Sequence, residues 1–332
     1  MLSNRVRLIY FAVWCVVVLA SYALLGVLPV AARAVWFALL YLLLTWPVRS
    51  LRVLAFSVFF FIGLFVVSHL TLLVQLLIGS ALPPTYSRDG EFAHVILMAP
   101  ITEETAKLAA VGIVLLIWQR TGARVGFGAS DLMLVGLAIG IGMNVFEDTF
   151  IGAADIKTPG PVTDILVPWT EMQITRGRPD VVFIGHAAGA AFIGLALGWS
   201  RYLRGAVRYA PALVVWLWMI YIHALYNGQD WFERGHVVFV GAPLTWVAPY
   251  VFFVAVLATI IYEFLMLRRG VTAYEKEVAG RRPVGWLRRL EKSSLQRHLA
   301  YAREWLRRNP QDRDAVRPYL SRLVVRLNRV TV

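Results

Sequence analysis

The sequence predicts an all-α fold: a polytopic membrane helix bundle of about eight transmembrane helices, followed by a basic helical cytoplasmic tail. Its 332 residues are 59% hydrophobic and 16% charged, whereas a soluble domain is roughly 45–50% apolar and about 25% charged. Apolar runs of roughly 17–25 residues, the length that crosses a bilayer as a helix, recur along the chain. Most of the net charge of +13 lies after residue 267.

Eight apolar runs are long enough to be predicted as membrane helices. The first is too long for the apolar region of a signal peptide and lacks a clear small-residue cleavage site, so we predict that it is retained. The second is short and could pair with the first as a tight hairpin. The predicted spans are 8–30, 32–47, 51–80, 91–118, 130–153, 180–202, 207–228 and 243–267.

Loop charges predict the orientation of these helices. Arg49, Arg201 and Arg204 fall on the same side as the tail, whereas the basic residues of the opposite loops are diluted by acidic ones. The positive-inside rule then places both termini in the cytoplasm, for a protein of a bacterial-type plasma membrane. We expect the chain to divide into N-terminal transmembrane helices (1–90), central transmembrane helices (91–230), an outer loop with the last transmembrane helix (231–267) and the tail (268–332).

The tail contains 17 Lys and Arg residues against six Asp and Glu residues. It contains two stretches with helical apolar stripes, 284–308 and 316–327, separated at Asn309-Pro310. A basic segment beside a membrane favours anionic lipid head groups as its partner, and not nucleic acid. A solvated helical hairpin that packs on itself is the alternative.

Glu103, Glu104 and Lys107 form the most informative polar group, because all three lie inside an apolar run. Each costs roughly 2.5–3.5 kcal/mol at the centre of a membrane. Two adjacent carboxylates repel each other and need a shared proton or partners. Lys107 can face either carboxylate, since the spacings are four and three residues. A single stabilising ion pair would need only one carboxylate, so the pair indicates a functional site.

Other predicted membrane helices contribute further polar residues. Glu147 lies near the end of the fifth span, with Asn144 and Asp148 beside it; His186 opens the sixth, and His223 and Asn227 close the seventh. We expect these groups to converge with the glutamates in one cavity near the outer face. A lone His or Asn in a membrane helix can also simply bind a neighbouring helix, and Asp148 can face the interface.

These residue types suit hydrolysis of a peptide bond. A buried carboxylate can act as general base on water, and His and Asn groups can stabilise the oxyanion. The sequence has no Gly-x-Ser-x-Gly and no His-Glu-x-x-His motif. We therefore assign no cofactor and favour water activated by a glutamate. A zinc ion is the alternative, with Glu104, His186 and His223 as its candidate ligands.

Four motifs occur in order on predicted membrane helices: Glu103-Glu104-x-x-Lys107, Phe146-Glu147-Asp148, Gly185-His186 and His223-Ala-Leu-Tyr-Asn227. Together they resemble the PrsW family of intramembrane proteases, which is similar to the type II CAAX prenyl endopeptidases. The resemblance covers residues 91–230. Asp148 departs from the pattern, since asparagine is expected there.

The resemblance implies a membrane-embedded peptidase that cleaves a membrane protein or peptide. The catalytic residues that it implies are Glu103, Glu104, Lys107, Glu147, His186, His223 and Asn227. Site-1-type cleavage of a membrane-bound anti-sigma factor is the task that it suggests. Two alternatives from other classes are a proton-coupled transporter, whose paths also use intramembrane Glu and His, and a non-catalytic membrane scaffold.

Overall fold

The computed structural model describes Val13, residues 28–154, two short strands with Trp169 between them, and residues 181–228, 236–278 and 286–331. Most of the predicted first span, 8–30, lies outside these residues, as does most of the loop 154–179. The long helices are α1 (Leu28–Leu44), α2 (Val53–Gly79), α3 (Ala99–Arg120), α4 (Ala129–Ala154), α5 (Gly185–Trp199), α6 (Ala210–Asn227), α7 (His236–Val278), α8 (Trp286–Arg308) and α9 (Arg313–Thr331).

Four helical stretches among the described residues are long and apolar enough to cross a membrane: Val53–Gly79, Ala129–Thr149, Val207–Asn227 and Pro243–Leu267. They correspond to four of the predicted spans, and the helical bundle is confirmed. The total of eight stays a prediction, because α1 and α5 are short and α3 carries four charged residues, Glu103, Glu104, Lys107 and Arg120. An unpredicted element is an antiparallel strand pair, β1 (Thr163–Leu166) with β2 (Gln173–Thr175).

Helix α4 is the central helix, and it packs most closely against α5. Glycines at the contact let the two backbones approach: a Cβ at Gly140 would lie 2.3 Å from the carbonyl oxygen of His186, and one at Gly136 would lie 2.1 Å from that of Ala190. Gly194 on α5 approaches Leu132 in the same way, at 2.5 Å. Small residues permit this approach in lipid, where packing drives association. The contact thereby fixes the position of the His186 backbone.

The other helices surround this pair and present apolar side chains outward. Their inner faces supply core residues such as Phe56, Met219 and Phe252. Extensive exposed apolar surface of this kind is unusual for a soluble protein and suits contact with lipid. Strongly exposed aliphatic residues include Leu72, Leu76, Leu77, Leu213, Val214, Val254 and Ile261.

Two buried carboxylates form hydrogen bonds that hold the elements together at one end of the bundle. Asp131 on α4 accepts hydrogen bonds from the backbone N–H groups of Ser50 and Leu51, at 2.7 and 2.6 Å. Glu263 on α7 accepts from the backbone N–H of Ala129 and from the hydroxyl of Ser130, both at 2.5 Å. These bonds hold the turn before α2 and the helix α7 against the start of α4.

The tail helix α8 lies against this same end of the bundle. The hydroxyl of the buried Tyr301 donates to the carbonyl of Val48 at 3.1 Å, and Nε of Arg297 donates to the carbonyl of Arg49 at 2.5 Å. Helix α9 packs on α8 through a small apolar cluster that includes Leu323. The tail is therefore folded onto the membrane bundle and does not stand apart from it.

An ion-pair cluster lies near the end of α8. Arg307 and Arg308 donate hydrogen bonds to Glu304, at 2.8 Å in each case. These bonds lower the pKa of Glu304 to about 2, and the bond from Arg307 is the larger cause. The carboxylate stays ionised well below neutral pH, so the cluster contributes to the stability of the tail down to acid conditions.

Candidate active site

The paired glutamates of α3 point in different directions, because adjacent residues of a helix differ by about 100° around its axis. Glu104 and Lys107 have no solvent exposure, and Nζ of Lys107 lies 2.6 Å from Oε1 of Glu104. Lys107 therefore pairs with Glu104, one of the two carboxylates it could reach. A buried carboxylate needs such a partner to stay ionised.

His223 on α6 lies between the two glutamates. Its Nδ1 is 3.0 Å from Oε1 of Glu104, and its Nε2 is 3.8 Å from Oε2 of Glu103. A neutral imidazole that donates Nδ1–H to a carboxylate keeps a lone pair on Nε2. Glu104 thus holds the ring so that a free acceptor nitrogen faces Glu103.

His186 is held in the same manner at the start of α5. Gly185 precedes it with φ of +84°, a conformation that a residue with a Cβ rarely adopts, and this turn sets the direction in which α5 begins. Nε2 of His186 lies 2.5 Å from Oε2 of Glu147 on α4. Its Nδ1 faces Oε2 of Glu103 at 3.8 Å. Glu147 therefore orients His186 as Glu104 orients His223.

Three ligand atoms consequently converge, one each from Glu103, His186 and His223, all within 4.8 Å of one another. Oε2 of Glu103 and Nδ1 of His186 are buried and have no hydrogen-bond partner. Buried polar atoms without partners need an explanation, and an ion is one of the standard ones. Two atoms bound to one zinc ion at about 2.0–2.1 Å lie about 3.3–3.4 Å apart at a tetrahedral angle. The 3.8 Å separations between Oε2 of Glu103 and the two imidazole nitrogens are only about 0.4–0.5 Å longer, so small side-chain movements would bring these atoms to binding distance.

The donor set also fits the chemistry of a catalytic metal. Two imidazoles and one carboxylate form the His₂Glu set of several zinc peptidases, which leaves a fourth position for water. A carboxylate behind each histidine is the usual second layer of such sites. The sequence predicted Glu104 as the third candidate ligand, whereas Glu103 lies with the two histidines and Glu104 lies behind His223.

Sequence reasoning missed two residues that contact this group. Nε2 of Gln75 on α2 donates to Oε1 of Glu103 at 3.1 Å and to the hydroxyl of Thr102 at 3.0 Å. The ring of Phe183 stacks on His223, with centroids 4.4 Å apart, and meets His186 edge-on at 5.2 Å. Gln75 could have been found from the sequence, because it is a polar residue inside an apolar run. Phe183 gives no such signal, because phenylalanine is common in a hydrophobic sequence.

Asn227 and Asp148 lie to the side of the three converging ligands. The Asn227 amide donates to the carbonyl of Val95 at 3.0 Å. Val95 belongs to the π-helical segment Phe92–Met98 that precedes α3, and such segments leave carbonyls available and are frequent at functional sites. Asn144 donates to Asp148, four residues later on α4, at 3.1 Å.

A comparison with models of protein families now adds to the geometry. Residues 49–260 match the model described as PrsW family intramembrane metalloprotease. The chain belongs to the PrsW family. The match covers most of the chain, includes every helix that contributes to the site, and confirms the resemblance carried by the four motifs. No curated protein and no solved structure gave a significant match to the chain.

Membership in the PrsW family has direct consequences. The protein is an integral membrane hydrolase of the intramembrane peptidase class, and its substrate is a membrane protein or peptide. Peptidase chemistry is favoured over the transporter and scaffold alternatives. The family description, metalloprotease, implies a metal ion without identifying it, and Glu103, His186 and His223 are the described residues that could hold one.

Proposed function

We propose that this PrsW family protein is a zinc-dependent intramembrane endopeptidase whose metal is held by Glu103, His186 and His223. The convergence of two unpartnered buried atoms, Oε2 of Glu103 and Nδ1 of His186, with Nε2 of His223 supports the proposal most strongly. Glu103, His186 and His223 would hold the ion, which would supply polarisation of the scissile carbonyl and a lowered pKa for a bound water. Glu103 thereby takes the place of Glu104 among the zinc ligands that the sequence predicted as the alternative.

The remaining charged residues then orient the ligands. Glu147 and Glu104 each hold one imidazole in the tautomer that presents a lone pair to the site. Lys107 compensates the charge of Glu104 at 2.6 Å. Gln75 binds Oε1 of Glu103 and leaves Oε2 directed at the histidines. Such outer partners set ligand orientation and basicity.

Glu104 is our candidate for the general base. Its Oε1 is bound by Lys107 and His223, but its Oε2 is buried and has no hydrogen-bond partner. Oε2 accepts a proton from the attacking water while the water oxygen bonds to the scissile carbonyl carbon. The same carboxylic acid then returns the proton to the leaving amine as the C–N bond breaks.

Orientation and substrate are proposed on the same basis. Arg49, Arg201 and Arg204 lie at the tail end of the bundle, and Glu147 lies about 24 Å along α4 from Asp131, which marks that end. The positive-inside rule then supports cytoplasmic termini in a bacterial-type plasma membrane and a site nearer the outer face. We propose site-1-type cleavage of a membrane-bound signalling protein as the reaction.

The test compares wild type with Glu103→Gln and Glu104→Gln, and with Glu91→Gln, which removes an exposed carboxylate before α3. Zinc content and affinity are measured on purified full-length protein by elemental analysis and chelator competition. Peptidase activity is measured in cells by terminal-peptide mass spectrometry of membrane and secreted fractions.

Glu103→Gln should lose zinc and all neo-termini that depend on wild type. Glu104→Gln should keep most of its zinc yet lose the neo-termini, and Glu91→Gln should match wild type. Wild-type protein that retains activity after complete removal of zinc would reject the metal role and return the reaction to glutamate alone. Full activity of both glutamate variants would reject the site.

A further inference from the structure

A cavity lies at the end of the bundle opposite to Glu103 and Glu104. It occupies about 650 Å³ between the turn that follows α5 and the end of tail helix α8. Four arginines line it, Arg201, Arg204, Arg208 and Arg308, against a single carboxylate, Asp312. Cavities of roughly 300–1,000 Å³ are the usual size for small ligands. The charge of this one favours an anion.

The inner arginines are fixed in place. The guanidinium of Arg201 donates to the carbonyl oxygens of Phe127, Val125 and Tyr301 and lies 5.0 Å from the centre of the Tyr301 ring. Arg308 donates to Glu304 and to the hydroxyl of Tyr262. These residues join the tail to the bundle, and Arg201 gives the cavity a positive wall. The one carboxylate, Asp312, accepts a hydrogen bond from the Trp305 indole at 2.9 Å.

The outer arginines differ from these. Arg204 is exposed and lies directly before Gly205, and Arg208 lies half-buried one turn further on, with its guanidinium 4.6 Å above the Tyr209 ring. Both therefore line the cavity from the turn between two membrane helices. A pair of guanidinium groups around a concave site is the usual arrangement for binding phosphate.

Apolar side chains next to these arginines indicate the source of the phosphate. Val207 is 70% exposed and Leu203 is 37% exposed, and the strongly exposed Leu213 and Val214 follow on the next turns of α6. A water-soluble phosphate compound would leave this apolar surface exposed, whereas lipid acyl chains would cover it. The basic cavity and the apolar helix face are continuous along one short segment.

We propose that this cavity binds the phosphate of an anionic membrane lipid, with Arg204 and Arg208 contacting the phosphate and α6 contacting the acyl chains. The site differs from the peptidase site and does not depend on its mechanism. Binding at this site is more specific than a general attraction of the basic tail to the membrane, since it uses two arginines that lie outside the tail. A bound lipid would bridge α8 and the turn after α5.

The experiment titrates purified full-length protein in detergent with dioctanoyl phosphatidylglycerol and counts bound molecules by native mass spectrometry. Dioctanoyl phosphatidylcholine and inorganic phosphate are the comparison ligands. The variant Arg204→Gln/Arg208→Gln is compared with Arg120→Gln/Arg317→Gln, which removes two exposed arginines from outside the cavity. Arg204→Lys/Arg208→Lys keeps the charge.

Wild type should bind one phosphatidylglycerol more tightly than phosphatidylcholine, and the Arg204→Gln/Arg208→Gln variant should bind it ~10–100-fold more weakly. The control variant should match wild type, and the lysine variant should recover part of the affinity. Equal affinities in the glutamine variant and in wild type would overturn the proposal. Inorganic phosphate bound as tightly as the lipid would overturn the lipid as occupant.

Discussion

Gly140→Ala tests whether the contact between α4 and α5 positions the site. The new Cβ would lie 2.3 Å from the carbonyl oxygen of His186, whereas ordinary contact begins at 3.4 Å. The two backbones must therefore separate by about 1 Å at the residue that carries a proposed ligand. Overpacking of this kind costs about 1–3 kcal/mol of stability. A displacement of about 1 Å in a catalytic site can cost about 100-fold in rate.

The assay measures stability and metal binding in the same preparations. Thermal unfolding of the purified protein in detergent reports the packing cost, and chelator competition reports the affinity for zinc. Neo-termini in cell membranes report peptidase activity. We expect the variant to fold, to unfold at lower temperature, and to lose most of its zinc affinity and activity together, because His186 moves relative to Glu103 and His223.

Two other glycines provide the controls. Gly194→Ala creates a similar clash, 2.5 Å from the Leu132 carbonyl, at the same helix pair but about 12 Å along α5 from His186. Gly112 on α3 has no atom within 4 Å of its would-be Cβ, so Gly112→Ala should leave zinc affinity and activity unchanged and should not lower the unfolding temperature. If Gly140→Ala and Gly194→Ala lower zinc affinity equally, or if Gly140→Ala binds zinc as wild type does, the positioning argument fails.

Three further predictions follow from single contacts. Gln75→Leu should weaken zinc binding by about 10–100-fold with little change in unfolding temperature, since an outer partner of a ligand is lost; an unchanged affinity would count against this role. Lys107→Met should destabilise the protein by about 3–5 kcal/mol because it leaves a buried carboxylate unpaired, and adding Glu104→Gln should recover most of that stability. The pKa of Glu304 is lowered from 4.5 to about 2. The tail helix α8 should therefore lose stability as pH falls from about 4.5 to about 2. Hydrogen exchange in α8 should show this loss in wild type and not in Glu304→Gln.

The helical fold could be predicted from the sequence because composition and run length determine it. Bilayer thickness sets a length of about 20 apolar residues, and the stretches at 53–79, 207–227 and 243–267 meet it closely. The strand pair around Trp169 was not predictable, because its segments are short and lie between prolines. The docking of α8 was not predictable either, since it depends on Tyr301 and Arg297 meeting carbonyls some 250 residues earlier.

The convergence of the candidate residues could be predicted from the sequence more readily than their separate roles, which stay proposals. Charges inside apolar runs identified Glu103, Glu104, Lys107 and the two histidines, because burial of such groups is costly. Which glutamate faces the histidines depends on the rotation of α3 about its axis, and the sequence pattern leaves that rotation open. Asp131 and Glu263 were not predicted, because neither has a like-charged neighbour next to it in the sequence as Glu103 and Glu104 do.

The adjacency of Glu103 and Glu104 now has a physical explanation. Two carboxylates on one side of a membrane helix would repel, but a rotation of about 100° sends them to different partners. Glu104 pairs with Lys107 and orients His223, and Glu103 is bound by Gln75 on one oxygen and faces both histidines with the other. One helix turn therefore supplies a proposed ligand and the group behind another ligand. Substitution of either glutamate disturbs the site in a different way, which is why metal content and activity must be measured separately.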